Sequence, residues 1–138
     1  MAEGFALDPR LAGESVVLGD LALCRALLRD DARYWWVVLV PRRAGLVELH
    51  DLAPAELSAA VGETALASRA LANLAAPTKV NVGALGNIVR QLHIHVVARR
   101  EGDAAWPGPV WGAGERVPMA PDECARRAEP LRRALGLG

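Results

Sequence analysis

The chain of 138 residues is poor in several things: it has two cysteines, two methionines, one tyrosine, one phenylalanine, and Lys79 as its single lysine. It also lacks any apolar run near the ~18 residues a membrane span requires; the longest strongly apolar stretch is Trp35 to Val40. Each scarcity excludes something. Cys24 and Cys124 stand far apart and form no metal-spaced pair, so they read as inert thiols of a reducing compartment. Met1 to Phe5 carry neither the basic flank nor the long apolar segment of a secretory signal. A soluble, cytoplasmic protein with no membrane partner is the resulting expectation. Sixteen basic residues balance sixteen acidic ones. A formal charge of zero leaves no electrostatic footprint for nucleic acid and little net repulsion between copies. The preference for arginine over lysine, beside the many alanines, is accounted for by codon usage in a GC-rich genome.

What is present is enough for a core. Hydrophobic residues make up 52% and charged residues 23%, which fits one folded domain over residues 1–138. Asp8-Pro9-Arg10 reads as an N-cap with proline in the first turn, predicting a short helix near 8–14. Val16-Val17-Leu18 and Leu21 to Cys24 read as two strands around a Gly19-Asp20 turn. Tyr34 to Val40, ended by Pro41, is a buried central strand; Tyr34, Trp35 and Trp36 read as core and edge packing. Asp51 to Glu56 opens a long helix whose core face is assigned to Leu57, Val61, Ala65, Leu71 and Leu74, with Pro77 closing it. Lys79 to Val82 is a strand, Gly83 to Asn87 a loop, and Val89 to Arg99 the last strong strand, with Arg99-Arg100-Glu101 as a solvated end. Trp106 to Gly112 is too rich in proline and glycine for regular structure. Pro121-Asp122-Glu123 opens a C-terminal helix that Pro130 should kink or split. The fold class is α+β: a mostly antiparallel sheet, one long helix and a C-terminal helix.

The chemistry concentrates in Gln91-Leu92-His93-Ile94-His95-Val96-Val97. On a strand, Gln91, His93 and His95 share one face, successive members roughly 6.6 Å apart, while Leu92, Ile94, Val96 and Ala98 pack on the helix from the other. Two imidazoles on a half-exposed sheet are often decoration. Here a loop precedes them in which Gly83 and Gly86 let backbone N–H groups approach an anion and Asn87 adds a side-chain donor. An anion-cradling turn that feeds two aligned imidazoles suits phosphorus chemistry, because a neutral imidazole is nucleophilic near pH 7. His50, just before Asp51, reads as a capping or surface residue.

This segment resembles the histidine triad (HIT) signature, His-φ-His-φ-His-φ-φ, with Gln91 in place of the first histidine. Trp36 to Arg42, Leu49-His50-Asp51-Leu52, Asn81-Val82-Gly83 and Trp106-Pro107-Gly108 also resemble family segments, so that residues 15–112 are covered and 113–138 form a C-terminal extension. The similarity extends to bacterial dinucleoside polyphosphate hydrolases. The resemblance implies a HIT-like fold, a homodimer, and transfer or hydrolysis at the α-phosphate of a nucleotide conjugate with neither metal nor cofactor. His93 would form a covalent nucleotidyl-histidine, His95 would hydrogen-bond the phosphoryl oxygens, and Gln91 would hold the nucleophile through its carbonyl, its amide being free for a phosphate oxygen. Asn81, Gly86, Asn87, Ile88, Arg25 and Trp106 are the implied substrate-binding residues.

Three positions depart from the family. Asn87 stands for a common glutamine, Ile88 for a hydroxyl residue that can assist the leaving group, and Arg25 for another histidine. The Gln91 and Ile88 departures support an alternative, a catalytically weak nucleotide-binding dimer that senses or sequesters its ligand. A cupin-like metal site built on the same two histidines is a further alternative, although the long helix takes the room that its strands need.

Overall fold

The computed structural model describes residues 4–138. In chain order its elements are α1 (Pro9–Gly13), β1 (Ser15–Asp20), β2 (Cys24–Arg29), β3 (Trp35–Pro41), α2 (Pro54–Ala75), β4 (Lys79–Gly83), β5 (Ile94–Arg99) and α3 (Pro121–Ala134), with a single 3₁₀ turn at Leu49–Asp51. The strands form one sheet in the order β1-β2-β3-β5-β4, every neighbouring pair antiparallel. This is the expected α+β class.

Alternation along β3 divides the core in two. Val37 and Leu39 face a large cluster with Ala60, Ala67 and Leu71 of α2 and Ala128 and Leu131 of α3. Trp36, Val38 and Val40 face a smaller cluster completed by Leu27, Val97, Leu11 of α1 and Val110. Both sheet faces are therefore covered, one by the two long helices and the other by α1 and the segment around residue 110. α1 starts as its sequence predicts, the Asp8 carboxylate accepting from the Arg10 N–H at 2.8 Å.

Several expectations are corrected. Gly19-Asp20 is not a turn: both lie inside β1, whose register slips so that Val17 faces Leu27 and Gly19 faces Ala26. Gly19 takes φ +150° at this bulge, a backbone value side chains disfavour. The chain reverses two residues later, where Leu21 N–H donates to the Cys24 carbonyl at 2.8 Å. The Glu63 carboxylate of α2 accepts from Leu23 N–H and Cys24 N–H, each at 2.8 Å, and grips the tip of this hairpin. The last strand begins at Ile94 rather than Val89: β4 ends at Gly83, opposite His95, and the pairing with β3 stops at Leu39 and Ile94 although β3 itself continues to Pro41. Leu92 N–H bonds instead to the Leu46 carbonyl, at 3.0 Å.

The long helix starts at Pro54, with Asp51 accepting from Val47 and Glu48 N–H groups ahead of it. Its buried residues are Ala60, Glu63, Ala67, Ala70, Leu71 and Ala75, while Leu57, Val61 and Ala65 are exposed. Alanines let the helix lie close to the sheet, which rotates the bulkier stripe outward. α3 runs unbroken through Pro130 and packs on β1 and α2. Arg99 is not solvated: at 1% exposure it donates to Asp103 at 2.8 and 2.9 Å and to the side-chain Oδ1 of Asn81 at 2.8 Å.

Candidate active site

His95 shares its sheet face with Val97, on the side of the smaller core, and pairs across β3 with Val38. Its ring is enclosed edge-to-face by Trp36 at 5.5 Å, Trp111 at 5.6 Å and His93 at 4.8 Å between centroids. Gly83 makes room for the Trp111 ring; a Cβ there would sit 2.9 Å from it. His93 precedes β5 and is buried like His95, at 6% and 7% exposure, which departs from the half-exposed stripe the strand pattern suggests.

The partners of the two rings set opposite tautomers. His93 Nδ1 lies 2.6 Å from the Gln91 carbonyl, an acceptor only, so Nδ1 carries the proton and Nε2 keeps its lone pair. His95 Nδ1 lies 3.0 Å from the Trp36 indole N–H, a donor only, so Nδ1 is the acceptor and Nε2 carries the proton. Burial, then His93 and the Arg29 guanidinium, lower the His95 pKa to about 3, so this ring is neutral at physiological pH. One imidazole offers a lone pair and its neighbour offers a proton.

Both rings line a cavity of about 530 Å³. Gly86, Asn87 and Ile88 form one wall, Trp111 and residues 112–114 another, and Arg10, Arg29, Arg33 and Arg116 supply positive charge. Each arginine has a carboxylate partner: Asp8, Glu14, Asp31 and Asp30 at 3.1, 2.8, 2.9 and 3.3 Å. Even so, Arg29 Nε and Trp111 Nε1 are buried donors with no partner among the described residues.

The cavity thus gathers His93, His95, Gly86, Asn87 and Ile88. Four other candidates lie elsewhere. Gln91 touches the site through its carbonyl; its side-chain amide bonds the backbone of Ala6 and Asp8 at 2.8 Å each, and the residue does not line the cavity. Arg25 pairs with Asp20 at 2.8 Å. Asn81 holds Arg99. Trp106 stacks under the Arg99 guanidinium, 5.6 Å from the ring centroid. His50 is 83% exposed at its side chain and lines a small cleft on the far side of His93. Sequence reasoning missed Arg29, Trp111 and the polar role of Trp36. Arg29 lies four residues after Arg25 on the same strand face, and Trp111 closes the segment that Trp106 opens; both signals were in reach. The contact between Trp36 and His95 crosses two strands and had none.

No barrel accompanies the two histidines, which removes the cupin alternative, and among the described residues no cluster of three or more His, Cys, Asp or Glu side chains could hold a metal. Comparison with known proteins gives a consistent placement. The family model for the HIT domain matches residues 11–102. A histidine triad protein from Sinorhizobium meliloti is 44% identical, with 95% of this chain and 97% of that one aligned at a TM-score of 0.92. One from Bradyrhizobium japonicum is 41% identical over 95% and 98% of the chains, with a TM-score of 0.92. One from Marinobacter aquaeolei is 39% identical over 96% of each, with a TM-score of 0.93. Among curated proteins none matches. With the family model spanning most of the chain, and the whole fold shared with proteins this similar, the chain belongs to the HIT domain family.

Proposed function

We propose that the protein is a nucleotide hydrolase or nucleotidyl transferase acting at the α-phosphate of dinucleoside polyphosphates or related conjugates. The observation that carries this reading is the pair of opposite tautomers. His93 Nε2 attacks phosphorus, forming the N–P bond as the P–O bond to the leaving phosphate breaks and its electron pair departs with that oxygen. His95 Nε2–H hydrogen-bonds a non-bridging oxygen as charge shifts onto it. Water then attacks the nucleotidyl-histidine, breaking the N–P bond and releasing the nucleotide; another acceptor in its place makes the reaction a transfer. In its neutral form His93 needs no separate base in the first step, since the Nδ1–H bond to the Gln91 carbonyl leaves the lone pair on Nε2.

The arginine-lined cavity supports an anionic leaving group, which ranks polyphosphates above phosphoramidates. Ile88 supplies no hydroxyl for the leaving group, which favours a leaving group that departs without a proton, as a phosphate does. The reading requires no metal or cofactor for either step. Its partner is a second copy of the chain: exposed Val61 and Ala65 of α2 line a groove with Leu49 and with Val82 of β4, the open edge of the sheet. A continuous apolar strip next to an unpaired edge, on a chain of zero formal charge, suits pairing with itself. No helix among the described residues is long and apolar enough to cross a membrane, and free Cys24 and Cys124 suit the cytoplasm.

The test is a panel of diadenosine polyphosphates and nucleoside phosphoramidates offered to the wild type, His93→Ala and His95→Ala. Turnover by the wild type, its abolition in His93→Ala and a loss of about 10²–10³ in His95→Ala are expected. Mass spectrometry of quenched wild-type reactions should find a nucleotidyl adduct on His93. Tight nucleotide binding with wild type and His93→Ala equally inert would replace this reading with the sensor.

A further inference from the structure

We infer that Gln91 is a positioning residue: its side-chain amide docks the N-terminal segment Ala6–Asp8, so that α1 forms a wall of the nucleotide cavity, and this site works with glutamine there in place of histidine. The inference rests on the proposed function for its catalytic readout alone.

The amide engages this segment through both its ends. Its Oε1 accepts from the Asp8 N–H and its Nε2 donates to the Ala6 carbonyl, both at 2.8 Å. A primary amide presents its acceptor and one donor along one planar edge, as a residue's own C=O and N–H face one neighbour in an antiparallel pair, and here that edge pairs with the backbone on either side of Leu7. An imidazole cannot reproduce this. A neutral ring also has one donor and one acceptor, but they diverge from opposite sides and cannot both meet groups on one stretch of backbone.

Beyond Asp8 the chain runs along the cavity. Asp8 caps α1; Arg10 donates to the Ile88 carbonyl at 3.2 Å, tying the segment to the loop before the histidines. Leu11 is buried at 7% exposure in the smaller core, with Phe5 and Leu7 packed against it. Glu14, just past the helix, holds Arg29 at 2.8 Å, and the Arg29 guanidinium lies 4.8 Å over the Trp36 ring that bonds His95. Arg10, Leu11 and Glu14 all line the cavity. Gln91 therefore grips the segment with its side chain and the nucleophile with its carbonyl.

The experiment compares wild type with Gln91→His and Gln91→Met by three measurements: amide hydrogen exchange at residues 6–12, binding of AMP, and kcat and KM on a diadenosine polyphosphate. Thermal melts select variants that keep the wild-type fold, and Gln91→Met, unbranched and of similar length, serves if Gln91→His does not. We expect the Asp8 amide to exchange at least about tenfold faster in both variants. AMP binding should weaken and KM rise by about the same factor, with a smaller change in kcat. Restoring the family's histidine should thus lower kcat/KM. Wild-type protection at Asp8 in both variants, or lost protection with AMP affinity and KM unchanged, overturns the inference. If the wild type turns over none of the substrates, the proposed function fails, while exchange and AMP affinity still decide the role of Gln91.

Discussion

At the scale of single residues, the site is a matter of who donates to whom. His93 and His95 are chemically identical side chains two positions apart, and a carbonyl under one and an indole N–H under the other make them different reagents. The same burial has a cost in acid. The folded state holds His95 near a pKa of about 3 against the ordinary 6.5, so between those values the unfolded chain binds a proton that the native one refuses. Stability from this group is whole above the unfolded value and drains away as pH falls toward the folded one. Between pH 7 and 4 the wild type should lose about 3 kcal/mol that His95→Gln keeps. Urea titrations of both proteins at the two pH values would show it; parallel losses would refute the shift. That the two imidazoles share a face was legible from a period of two. Their partners were not, because Trp36 is remote in the chain and a carbonyl is carried by every residue alike.

At the scale of elements, the sequence located most strands and helices to within a few residues, but the second strand, read at Leu21 to Cys24, runs Cys24–Arg29 instead. Glycine and aspartate in β1 carry the composition of a turn, yet there glycine serves a bulge. β5 starts late because β4 ends at Gly83 and Leu92 bonds Leu46 instead of β3, facts written outside β5 itself. In α2 the helical period was plain but its phase was not: two apolar stripes compete, and the close sheet selects the alanine one. The rejected stripe marks the surface assigned to a second copy. Val61→Glu, at a position 61% exposed, should leave the monomer's stability near the wild type's while shifting the mass found by light scattering from dimer to monomer. A wild type that is monomeric, or a variant that stays dimeric, would refute that assignment.

At the scale of the whole molecule, a single sheet serves two tasks. One face is cemented to α2 and α3, and the other is the floor beneath His95. Leu131 of α3 is fully buried on the first face. Leu131→Ala should therefore cost about 3 kcal/mol in denaturant unfolding and leave KM unchanged, because the sheet lies between it and the cavity. A rise in KM at matched folded fraction would mean that strain crosses the sheet. The Glu63 carboxylate makes a comparable bridge at the opposite corner, where it clasps the Leu23 and Cys24 amides from a helix some forty residues on. The first hairpin is consequently no self-sufficient unit. Its corner can drift in composition over evolutionary time, since backbone amides are common to almost all residues, provided that the distant acid stays in place.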